Sequence, residues 1–190
     1  MKNVARVLII LAVLGAATWI WLWTRPKRTP AISPAACGRL KALAEAQEVY
    51  RRTDHDGDGI FEYAHALSGD NSLLELTAGK RDLNLIHTTL ANAAIDEVKS
   101  AQPESGYYFR MLYGQGPNAG TGARPYIASG KVTGGYAYVA FPAQYGETGR
   151  MTFLISSDGI MYEKDLGPET AIIARLLTQF DPDESWRPLE

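Results

Sequence analysis

Met151 to Lys164 reads MTFLISSDGIMYEK, and this stretch decides the fold. Met151–Ser156 and Ile160–Lys164 are short runs of aromatic and β-branched residues, and Ser157-Asp158-Gly159 lies between them as a hairpin tip. Two further runs of the same kind lie upstream, Tyr107–Tyr113 and Gly135–Phe141, so a sheet of roughly four antiparallel strands is expected. Gly114–Gly122 (GQGPNAGTG) reads as a loop between strands. It fits neither the dinucleotide fingerprint nor the P-loop, since no Lys-Ser/Thr and no helix start follow it.

Working outward, the flanks are helical. Ser33-Pro34 reads as an N-cap followed by proline at the first helical position. Leu40, Leu43, Ala44, Gln47 and Tyr50 then recur at helical spacing until an Asp/Gly cluster beyond Arg52 stops the helix. A second helix is expected over Asp82–Lys99 through Leu83, Ile86, Leu90, Ala94, Ile95 and Val98. A closing helix opens at Pro168-Glu169, with Ile172, Ile173, Leu176, Leu177 and Phe180 as its expected buried face. Helices first and an antiparallel sheet later define an α+β domain over residues 34–190.

The N-terminal piece has another character. Val7–Trp23 (VLIILAVLGAATWIWLW) carries no charge, lies between Arg6 and Arg25, and ends in Trp19, Trp21 and Trp23, which suit the headgroup level of a bilayer. Residues 1–24 therefore read as a short cytoplasmic tail and a transmembrane helix that anchors the chain in the lipid bilayer. Residues 25–33, with Pro26 and Pro30 among basic residues, read as a linker. A cleaved secretory signal is the competing reading, but the bulky Trp-Leu-Trp-Thr-Arg-Pro exit does not suit signal peptidase. A short tail before the span and a whole domain after it place the domain on the periplasmic or outer side of a bacterial inner membrane.

The charge follows the same division. The whole chain of 190 residues has a net charge of −2, yet its first 28 residues hold five basic side chains and no acid. The other 162 hold 14 basic against 21 acidic, a balance of −7, which leaves no basic surplus for a nucleic-acid backbone. The single cysteine, Cys37, excludes an internal disulfide and reads as a small helix-face thiol.

The sharpest polar motif is Asp54-His55-Asp56-Gly57-Asp58-Gly59. Alternating carboxylates before a turn glycine are what a hard, oxygen-seeking cation such as Ca²⁺ requires. In an EF-hand-type count Asp54, Asp56 and Asp58 take positions one, three and five, the Ile60 carbonyl position seven and Glu62 position nine. Position twelve is His65, where a bidentate glutamate belongs, and the alternative is a turn whose aspartates cap backbone amides. The spacing of His55, His65 and His87 matches no zinc motif, and no G-x-S-x-G or H-E-x-x-H occurs. Calcium is thus the one cofactor expected, and no catalytic residue is assigned.

The stretch Ala46–Ala64, with Gly106–Arg110, Gly130–Gly135, Tyr145–Phe153 and Gly159–Pro188, resembles the bacterial envelope family catalogued as domain of unknown function twenty-nine-fifty. That resemblance implies no activity. A looser resemblance, to type IV pilin-like and pseudopilin-like proteins, implies a pilin-like globular fold. The sequence departs from pilins at processing, because residues 1–24 contain no acid where a mature pilin helix carries its glutamate. These features lead to a non-enzymatic, membrane-anchored envelope protein that binds an envelope protein partner, itself or a surface. A minor pilus or secretion-system subunit and an uncharacterised periplasmic enzyme are the alternatives.

Overall fold

The computed structural model describes residues 33–75, 83–97 and 99–189. The expected membrane helix and most of the linker lie outside these residues, and no helix among them is long and apolar enough to cross a membrane. The expected helix α1 forms over Pro34–Tyr50, where the Ser33 hydroxyl accepts the Ala36 N–H at 3.4 Å and proline occupies the first turn. Its buried face is Ala36, Leu40, Leu43, Ala46, Gln47 and Tyr50; four of the five expected positions are buried, and Ala44 is half-buried at the edge of that face.

The sheet is antiparallel, as read, but has five strands in the order β11-β10-β9-β8-β3. Its members are β3 (Tyr107–Leu112), β8 (Ala137–Pro142), β9 (Met151–Ser156), β10 (Met161–Asp165) and β11 (Arg187–Leu189). Short pairs supplement it: β1 (Ala66–Ser68) with β2 (Ser72–Leu74), β4 (Gly114–Gln115) with β5 (Arg124–Pro125), and β6 (Ile127–Ala128) with β7 (Lys131–Val132). The SDG tip joins β9 to β10, with Gly159 in the left-handed region at φ +80° and its N–H donating to the Ser156 carbonyl. β11 was not expected from sequence, because its three residues include Pro188 and carry no alternation. Arg187 fastens it to β10 through the buried carboxylate of Glu163.

Register assigns the two faces of the sheet. Tyr107, Phe109 and Met111 stand beside Tyr138 and Ala140 on one face. Here the Tyr136 hydroxyl donates to the Ala44 carbonyl of α1 at 3.3 Å, and Gln47 reaches Tyr138. Tyr108 and Arg110 stand beside Phe141 and Val139 on the other face. There Arg110 Nη1 donates to the Leu177 carbonyl at 2.5 Å, and the Phe180 ring meets Tyr162 at 5.8 Å. With both faces covered, all six residues of β8 are buried.

Two expected helices differ. Among the described residues of the expected helix over Asp82–Lys99, helical geometry is confined to α2, Thr88–Ala91. The chain on either side leaves helical geometry to pair with strands: Leu85 N–H donates to Leu73, and Phe109 N–H to the Ala93 carbonyl. Those long-range bonds outcompete the local helical pattern. The closing helix α3 spans Thr170–Leu176, but its buried residues are Thr170 and Ala174. Ile172, Ile173 and Leu176 point outward, because Leu177 and Phe180 follow the helix in extended chain and take over the packing against the sheet.

Candidate functional site

The Asp/Gly motif begins where α1 ends and folds back on itself. Asp54 Oδ1 accepts the Gly57 N–H and Oδ2 the Gly59 N–H, each at 2.8 Å. Both glycines sit at left-handed φ, +78° and +84°, which lets the loop turn these amides inward. Asp56 Oδ1 accepts the Asp58 N–H at 3.4 Å, and Asp58 Oδ1 accepts the Ile60 N–H at 2.9 Å. These are the amide-capping turns that are the alternative to metal ligation.

The remaining oxygens converge on a residue that the sequence reading did not single out. Lys131, on β7, places Nζ 2.7 Å from Asp56 Oδ2, 2.6 Å from Asp58 Oδ2 and 3.5 Å from Glu62 Oε1. Glu62 Oε2 takes the Val132 N–H at 3.3 Å and lies 3.0 Å from His65 Nε2. Every oxygen of the four carboxylates is thus engaged. The hydrogen bond from Lys131 holds the Asp56 carboxyl down at about 2, and the two aspartates push the lysine pKa upward.

Asp54, Asp56 and Asp58 do come together, their ligating atoms within 4.8 Å of one another, so these three fit a hard cation. Glu62 stands apart from this group, its carboxylate turned toward Lys131, His65 and the Val132 N–H. The Ile60 N–H donates to Asp58, which leaves its carbonyl, the expected ligand atom, uncommitted by that bond. No local signal could have revealed Lys131, which lies 75 residues from Asp56 in a Gly-Lys-Val turn.

The histidines have separate structural roles. His55 stacks on Tyr50 with ring centroids 3.9 Å apart. Its Nε2 lies 2.9 Å from the Tyr50 carbonyl, so that nitrogen carries the proton. His87 caps α2, its Nδ1 accepting the Thr89 N–H at 3.3 Å. Cys37 is half-buried against the core, where desolvation raises its thiol pKa and suppresses the thiolate. Of the tyrosines on or beside the strands, Tyr107, Tyr136 and Tyr138 are core residues, while Tyr113 is exposed.

Fold and site together define a small α+β domain, built on a five-stranded antiparallel sheet, whose acidic loop is clasped to a neighbouring strand pair by one lysine. The chain belongs to the family described as protein of unknown function (DUF2950), which matches residues 33–189. No curated protein and no solved structure matches the chain, so the pilin-like resemblance gains no support.

Proposed function

We propose that this chain is a non-enzymatic envelope protein, anchored in the inner membrane through Val7–Trp23, whose domain works outside the cytoplasm by binding an envelope protein partner or a surface. The saturation of the acidic loop carries this reading. Acid–base catalysis requires a group free to exchange a proton with substrate. Asp54, Asp56, Asp58 and Glu62 instead spend every oxygen on backbone amides, Lys131 or His65. The result is a clasp joining the segment after α1 to β7. Protease added to spheroplasts tests the placement: residues 34–190 are expected to be digested from outside, and full protection would overturn it.

A second reading of the loop is favoured by the convergence of Asp54, Asp56 and Asp58. Ca²⁺ would take the place of the Lys131 ammonium and perform the same joining role, with oxygen ligands from these three aspartates. Thermal unfolding with and without Ca²⁺ tests it: a rise in midpoint that Asp56→Ala abolishes supports the ion, and an unchanged midpoint rejects it.

A further inference from the structure

Two features meet on the sheet face opposite α1. Helix α3 presents Ile172, Ile173 and Leu176 at 60%, 37% and 74% exposure. Beside it, Ile95, Lys99, Ser100, Ala101, Tyr108 and Arg175 line a cavity of about 290 Å³. Arg175 belongs to α3 and lies one turn from Ile172, so the cavity and the apolar residues share a helix. Neither Lys99 nor Arg175 makes an ion pair among the described residues, which is equally true of Lys41, Arg51, Arg52, Arg124 and Lys164, but Lys99 and Arg175 share one cavity. Two free cations in one concavity, on a domain with an acidic surplus, are positioned for an anion.

We propose that this face seats the domain on an anionic lipid surface. Lys99 and Arg175 take headgroup phosphates, while Ile172, Ile173 and Leu176 enter the acyl boundary. The proposal rests on the membrane-anchored reading, and the fold supplies the geometry. Ser33, where the linker enters the domain, lies against the Tyr107 hydroxyl, and Arg39 one turn later pairs with Glu104 at 2.7 Å. Tyr108, the next residue along β3, points to the opposite face and lines the cavity. The chain therefore enters near the same end of β3 as the cavity, but on the opposite face of the sheet. Ten residues from Thr24 to Ser33 reach at most about 35 Å, which keeps this face within range of the bilayer.

The test uses the full chain in vesicles of phosphatidylcholine, with and without phosphatidylglycerol, and reads amide hydrogen exchange over residues 95–101 and 170–176. Exchange is expected to slow about tenfold in the anionic vesicles alone, with Lys99→Gln/Arg175→Gln removing the difference and Leu176→Ser weakening it. Equal exchange in both vesicle types overturns the proposal, and the wild-type comparison decides this even if a variant misfolds. Protection that survives the double substitution, or that appears only on adding envelope proteins, also overturns it. Failure of the anchored reading is separately visible, because the chain would then not float with neutral vesicles.

Discussion

Lys131 Nζ lies 2.6 Å from Asp58 Oδ2 and 2.7 Å from Asp56 Oδ2, so one ammonium occupies the point on which the acidic loop converges. An internal cation of this kind neutralises the like charges that the motif places side by side and ties the loop to β7.

Removing that cation is therefore expected to act in two ways. Lys131→Met leaves Asp56, Asp58 and Glu62 facing one another and lowers the thermal midpoint. It also frees the aspartate oxygens, so added Ca²⁺ should raise the midpoint of the variant more than that of the wild type. Scanning calorimetry of both proteins with and without Ca²⁺ reads both effects.

Acid should undo the same clasp within a defined window. The Asp56 carboxyl is held at about 2 in the folded domain, below the ordinary value of about 3.9 for an unfolded chain. Because the folded value is the lower one, the contribution is present above about pH 4 and is lost as pH falls toward about 2. Thermal midpoints of wild type and Asp56→Asn should differ at neutral pH and converge across that interval.

Gln47 is a polar residue set into the core-facing side of α1. It is fully buried, its Oε1 accepting the Ala64 N–H at 2.8 Å and its Nε2 donating to the Ala64 carbonyl at 3.1 Å and to the Tyr138 hydroxyl at 2.6 Å. Gln47→Leu keeps the volume but leaves both Ala64 backbone groups unpaired in the interior, and should cost about 2–4 kcal/mol. Tyr138→Phe removes only one of these bonds and should cost about 1 kcal/mol, both read by urea unfolding.

Thr152 gives the opposite sign. Its hydroxyl is buried between β8 and β10 and has no partner among the described residues. Thr152→Val removes a desolvated polar group at nearly constant volume, so urea unfolding should show the variant unchanged or more stable by up to about 1 kcal/mol.

The parts of the fold legible in sequence were those fixed by local chemistry. Ser33-Pro34 and the spacing through Tyr50 specify α1, and Ser157-Asp158-Gly159 specifies the central hairpin. The parts that were not legible depend on distant partners. Leu85 and Ala93 abandon a helical pattern because Leu73 and Phe109 offer backbone bonds, and β11 exists because β10 presents an edge and Glu163 a partner for Arg187. The acidic loop divided in the same way. Its convergence of aspartates was readable from spacing, whereas the cation that meets them comes from another hairpin. Gln47 stood at an apolar position in the helical pattern, and only the fold shows that it satisfies Ala64.

The proposed function requires a chain that remains whole and anchored, with its domain outside the cytoplasm. The most direct measurement is the intact mass, with N-terminal assignment, of the native protein recovered from carbonate-washed membranes. The expected result is the full 20.8 kDa chain beginning at Met1 and retained in the membrane pellet. A shorter chain beginning within or after Val7–Trp23, or release into the carbonate supernatant, would contradict it.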